Sequence, residues 1–204
     1  MSATGILEPG TAVRIGHPPI LDQFIPNPDV RERFETLARA PAPLVMEVAR
    51  NFDMQSLPLI RLIIRARERI LGTSGASPRI PRGIVEETQS QGWGLLVEEP
   101  GRLLACGATC QPWLGNVTFT AIPPDDFAAF DEPQQVKIAW TLEVEPLGPH
   151  LTRFSNETRA VATDAVARAR FRRYWRWSRF GIVAIRLLLL PAVRREAERR
   201  WAKR

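Results

Sequence analysis

Residues 136–180, VKIAWTLEVEPLGPHLTRFSNETRAVATDAVARARFRRYWRWSRF, decide the fold, because one periodicity gives way to another inside them. Val136, Ile138, Trp140, Leu142 and Val144 point one way, while Lys137, Thr141, Glu143 and Glu145 point the other. A period of two is that of a strand with one apolar face. Leu147-Gly-Pro-His150 reads as a turn, and residues 151–163 as the strand that returns. Asp164 stands where a helix N-cap is wanted, since a short carboxylate accepts from a backbone N–H that lacks an intrahelical partner. After it the pattern is helical to the end of the chain. A continuous helix from Asp164 to Trp201 would span ~57 Å, more than a small sheet needs for cover.

Upstream of this stretch the periods change twice more. Residues 30–39 alternate loosely and read as a first strand. Residues 42–52 carry Leu44, Val45, Val48 and Phe52 at helical spacing. A second helix is expected over 57–71, with Ile60, Ile63, Ile64 and Leu71 on one face, Arg61, Arg65 and Arg69 on another, and Gly72 as its stop. Residues 73–83 are rich in Gly, Ser and Pro and read as an exposed loop, and from there to about 163 the chain reads as β. Residues 93–98 and 102–109 flank Glu99-Pro-Gly101 as a hairpin, and 116–122 is a third strand candidate. Strands joined by short turns form a meander whose apolar face must be covered, and the last helix is the element long enough to cover it.

That order, with Pro26-Asn-Pro-Asp-Val-Arg-Glu-Arg33 leading into Ala40-Pro-Ala-Pro43, the 60–67 helix, Gly107 with Pro112-Trp113, Glu157-Thr-Arg159 and Phe171-Arg-Arg-Tyr-Trp175, resembles the START-like or SRPBCC superfamily. That group contains polyketide cyclase/dehydrase-like and lipid-transfer proteins, and the resemblance covers most of residues 24–180. It implies an α+β helix-grip fold: a curved antiparallel sheet wrapped around a long C-terminal helix, with two short helices after the first strand. It also implies an elongated cavity between sheet and helix, without supplying a ligand, because one fold hosts many functions. Residues 1–23 are expected to be an extended arm and 24–204 one domain, its final helix (164–204) kinked near Gly181 or Pro191 if anywhere.

Composition narrows the chemistry. A hydrophobic fraction of 45% and a charged fraction of 25% over 204 residues are those of an ordinary globular chain. Residues 1–10 lack a basic cluster followed by an apolar run, so no signal peptide is expected. Cys106 and Cys110, if on one strand, lie roughly 13 Å apart, too far for a disulfide, which fits a reducing cytoplasm. With His17 and His150 isolated, no metal is expected, and no cofactor motif (Rossmann glycines, Walker loop, nucleophile elbow) is present. Residues 165–204 carry thirteen Lys/Arg against two Glu, so the net +6 of the chain is a basic C-terminal segment on a body of −5.

The residues placed to line a cavity are Trp93, Trp113, Phe119, Trp140 and Phe154, with Asn156, Thr158 and Tyr174 as polar fixtures; the same aromatics also serve as ordinary core. Glu157 and Arg159 fall on the face opposite Phe154, which alternation makes a surface face, with Lys137 or Glu143 as cross-strand partners. A β-bulge would turn the pair into the pocket, where a carboxylate and a guanidinium can act as general base or anion clamp. Arg61, Arg65 and Arg69 form a stripe that is either a solvated face or a grip on phosphate. Glu86-Glu87 and Asp125-Asp126 are acids in loops, and His150 has no evident partner. Residues 180–193 are apolar but for Arg186 and Pro191, too short for a span that needs about 20 residues. Three readings of residues 180–204 stay open: burial in the chain's own domain, a homodimer contact, or an anionic membrane surface. Nucleic acid is the weakest partner, for want of a binding motif.

The expected function is binding of a hydrophobic or amphipathic small molecule, lipid or polyketide-like, in that cavity. A cyclase/dehydratase-like enzyme acting in the same cavity is the alternative, and it requires an ionisable group inside. A third class is an interaction module that uses the basic helix at a membrane or partner.

Overall fold

The computed structural model describes residues 19–72 and 81–204. Its elements are β1 (Val30–Ala38), α1 (Ala42–Asn51), α2 (Pro58–Ile70), α3 (Ile84–Ser90), β2 (Gly94–Glu99), β3 (Leu103–Cys110), α4 (Pro124–Phe127), β4 (Val136–Gly148), β5 (Leu151–Ala162) and α5 (Ala165–Trp201). The strands form one antiparallel sheet in the order β1-β5-β4-β3-β2. This is the helix-grip architecture: an α+β fold in which a curved sheet closes on a long C-terminal helix. The expected 73–83 loop falls largely outside the described residues, as do residues 1–18 of the expected arm.

Each face of the sheet has its own core. On the concave face Trp140, Leu142, Val144 and Phe154 pack with α1 (Leu44, Val45, Val48) and with the end of α5 (Leu189, Leu190, Val193, Ala197). Further along, Val136, Ala160 and Ala162 pack with Ala167, Phe171 and Tyr174 from the start of α5. The convex face is covered by the 3₁₀ turn Ile20–Gln23 and by the segment around α4, which bury Leu21, Phe24, Ile25, Ile122 and Phe127 against Leu96, Ala105 and Ala139. The tail end of the expected arm is therefore part of the body.

Helix α5 runs without interruption for 37 residues, ~55 Å, through both Gly181 and Pro191. Asp164 caps it, its side chain accepting from Ala167 N at 2.7 Å and Gln134 N at 2.5 Å. The apolar run buries itself in its own domain at Leu189, Leu190 and Val193, so a membrane insertion of residues 187–190 would have to withdraw core side chains. Among the described residues no helix is long and apolar enough to cross a membrane.

Three local expectations are corrected. Residues 84–90 are a helix, not β: Glu86 and Glu87 sit in its first turn, where carboxylates offset the positive helix end, and Ile84 and Val85 are buried in the same core as α1. Residues 116–122 form no strand. They make a strap joined to β3 only through the Thr109–Thr120 bridge, with amide–carbonyl distances of 2.9 and 3.0 Å. The strap passes close to β2, and a Cβ on Gly92 (φ +97°) or on Gly94 would meet Phe119 O at 2.3 Å or Ala121 Cβ at 3.1 Å. Its other end buries Ile122 on the convex side.

Third, Glu157 and Arg159 do face away from Phe154, but they are buried, at 2% and 1% exposure, because the N-terminal segment lies over them. No bulge reverses them; the irregularity in the β4–β5 pairing lies between Pro146 and Gly148, beside the turn. Arg159 donates to Glu157 Oε1 (2.6 Å), Asp22 Oδ1 (2.5 Å) and Ile25 O (2.9 Å). Glu157 also meets Arg31 (3.0 Å) and Arg33 (3.2 Å) from β1. Of the expected cross-strand partners, Glu143 joins through Arg33 at 3.4 Å, whereas Lys137 donates to the carbonyls of Phe127 and Ala128.

Burial alone would raise the Glu157 pKa, but the Arg159 hydrogen bond and the charges of Arg159 and Arg31, with a hydrogen bond from Arg33, hold it below the usual carboxylate range. A carboxylate depressed in the folded state stabilises fully above its unfolded pKa and loses that contribution as pH falls through the folded value. Glu157→Gln leaves a buried guanidinium short of counter-charge and is expected to cost about 3–5 kcal/mol in urea unfolding at neutral pH. The difference from the parent protein should shrink in acid; a difference that persists there would assign the loss to packing rather than charge.

Candidate functional site

Helix α5 touches the sheet near its start and near its end, and between those contacts the sheet stands away from it. The space left is a cavity of about 540 Å³. It persists because β5 offers only Asn156 and Thr158 between the two contacts, side chains too short to fill the space below the helix. Ile138, Trp140 and Leu142 of β4 form the floor, and Ile182, Ile185 and Leu189 of α5 one wall. Trp93 and Phe119, with rings 4.8 Å apart, close the end beside the strap.

The remaining side is α2, which runs antiparallel along α5. Ile63 crosses Gly181, where a Cβ would come within 3.1 Å of its methyl. One turn on, Arg67 Nε donates to Tyr174 Oη at 3.3 Å. α2 buries only Ile60 fully, and its inner face (Ile63, Ile64, Arg67) lines the cavity. Its outer face leaves Leu59 and Leu62 exposed, and Ile70, Trp177 and Phe180 are exposed as well, whereas Leu189 and Leu190 are buried.

Polar groups gather at one corner. Arg186 projects from the apolar run of α5, with Nη2 3.5 Å from Thr158 Oγ1. Burial pushes its pKa down to about 10, against the pull of Glu32, so it stays a cation at neutral pH. Glu32 lies on β1 directly opposite Thr158, and its Oε2 is buried without a hydrogen-bond partner. Burial raises the Glu32 carboxyl above its usual range, while Arg179 and Arg186 pull it back. Asn156 gives its amide N–H to Thr141 O at 2.6 Å and leaves Oδ1 unpartnered, and Ser178 Oγ is likewise unpartnered.

Of the residues expected to line the cavity, Trp93, Phe119, Trp140, Asn156, Thr158 and Tyr174 do so, whereas Trp113 and Phe154 do not. Phe154 is packed into the α1 core, and Trp113 sits outside with Arg170 6.0 Å from its ring. Glu157 and Arg159 are on the opposite face of the sheet and take no part. Arg65 and Arg69 are exposed, Arg61 donates to Gln55 O at 3.0 Å, and it is Arg67, outside the expected stripe, that reaches the cavity. His150 stacks near Trp201 at 5.0 Å, and Asp125 and Asp126 open the short helix α4. No cluster among the described residues has the ligands to hold a metal ion.

Sequence reasoning missed Glu32, Ser178 and Arg186. Two of them carry a signal: Glu32 shares its strand face with Val30 and Phe34, and Arg186 interrupts an apolar run. A charge on an apolar face marks either an error of register or a site.

No protein-family model matches the chain, and no curated protein sequence does. Among solved structures, the Zhui aromatase/cyclase from Streptomyces sp. R1128 is similar over 84% of this chain and 94% of that one, at 14% identity and a TM-score of 0.29. The fold given above rests on this chain's own strands and helices.

Neither thiol offers a nucleophile. Cys106 and Cys110 are both on β3, unpaired and buried, and burial pushes each pKa up to about 12. Iodoacetamide at about pH 8 should label neither in the native protein and both in urea. Labelling of the native protein would mean that the sheet opens at β3.

Proposed function

We propose that this protein binds a hydrophobic or amphipathic small molecule, of lipid or polyketide-like kind, in the cavity between the sheet and α5. The observation that carries the reading is the cavity itself: about 540 Å³, apolar over most of its wall, with polar groups at one corner. Small-molecule sites are of this size and make-up, apolar for affinity and sparingly polar for orientation. The resemblance of the sequence to the START-like superfamily supports the same use of the same space.

A second reading is a cyclase/dehydratase-like enzyme: Arg186 lines the cavity, and Glu32 stands behind the wall on the strand face of Thr158, so this reading requires the Glu32 carboxyl to turn inward. A carboxylate at Glu32 would take a proton from a carbon next to a substrate carbonyl, and Arg186 would hold the resulting enolate oxygen. In a following dehydration the Glu32 proton would leave with the departing hydroxide as water. Glu32→Gln would then abolish turnover of a poly-β-keto substrate while leaving its binding within a few-fold. Equal loss of both would confine the corner to binding.

Mass spectrometry of the protein purified gently from its own host, native and then denatured, tests the first reading. A bound mass that leaves on denaturation is expected, and Thr158→Phe, which projects a ring into the cavity, should lose that mass while melting cooperatively. A parent protein that is apo in repeated preparations, and that binds no hydrophobic probe added back, overturns it.

A further inference from the structure

The polar corner also says what the head of the ligand should be. Among the described residues the charged groups of the cavity wall are Arg67 and Arg186, and no carboxylate is among them. Arg67 donates to Tyr174 at 3.3 Å where α2 crosses α5, whereas Arg186 stands within the apolar run of α5. A guanidinium has five N–H donors, and Arg186 makes one hydrogen bond among the described residues, long at 3.5 Å. The donors left over belong to a half-buried side chain that lines the cavity, where an acceptor on a ligand can reach them.

The acid behind the wall does not cancel the charge. Glu32 lies under the combined influence of Arg179 and Arg186, two cations to one carboxyl, and it makes no ion pair with either within 4 Å among the described residues. The corner therefore keeps an excess of positive charge and unfilled donors.

We infer that the cavity takes an amphiphile with a carboxylate head, seated on Arg186, and with its apolar body along Trp140, Ile138 and Ile185. This rests on the proposed binding function and names its ligand class. A planar carboxylate matches the fork of a guanidinium with two parallel bonds, which a hydroxyl or an ester cannot form.

The test uses the full chain and two matched pairs of probes: dodecanoate against dodecanol, and 1-naphthoate against 1-naphthylmethanol. Binding is read by the fluorescence of the tryptophans at the cavity. In at least one pair the acid should bind about tenfold or more tightly than the alcohol, as a charge-assisted bond predicts. The pair that shows the preference tells a chain from a ring. Arg186→Met should remove the preference and leave the alcohol within a few-fold, with the melting transition retained. Acid and alcohol binding equally to the parent protein in both pairs would overturn the carboxylate head while leaving the binding function standing. No binding of any probe would count against the function itself. A preference that survives Arg186→Met would place the anion elsewhere.

Discussion

Helix α5 is held to the sheet at two separated places, by Ala167 and Phe171 near its start and by Leu189, Leu190, Val193 and Ala197 near its end. A curved sheet and a helix that meet at two places enclose whatever lies between, unless side chains are large enough to fill it. On β5 they are not, and the cavity exists for that reason. Helix α2 then closes the open side with a face that buries little of its own, so the enclosure depends on contacts at Gly181 and Tyr174 more than on a thick core.

The other face of the sheet solves a different problem. Antiparallel sheets commonly leave one face to water, and β5 reads as such a strand. Here the N-terminal segment covers that face, and it buries Glu157 and Arg159 together with their partners. Each group is affordable only because the others satisfy it: Arg159 by Glu157, Asp22 and Ile25, and Glu157 by Arg159, Arg31 and Arg33. The network ties β1, β5 and the N-terminal turn into one unit behind the floor of the cavity. The network lies on the face opposite the cavity, whose own charged lining residues are Arg67 and Arg186.

Elements with strong local periodicity were legible from residues alone. The alternation of β4, the β2–β3 hairpin, α1 and α2, and the Asp164 cap of α5 all stand within a residue or two of their expected places. Helix α3 and the 116–122 strap were not, because neither has a period of its own. Ile84 and Val85 are held by α1, and the strap follows close backbone approaches at Gly92 and Gly94. Six of the eight expected cavity residues line it, and for Trp140, Asn156 and Thr158 that facing follows from counting by twos along a strand. Phe154 fails because facing the right way does not settle which part of a long face is filled by another helix.

By itself the sequence determined the order of β1, α1, α2, the β2–β3 hairpin, β4 and β5 and the start of the long helix, all properties of neighbours within a few residues. Only the tertiary structure decided which way β5 faces, that the face of Glu157 is covered, that residues 84–90 are a helix, and that Arg186 reaches Thr158. Those facts depend on which segments of a distant part of the chain arrive at a surface, and burial, unlike periodicity, is a sum over every segment that arrives.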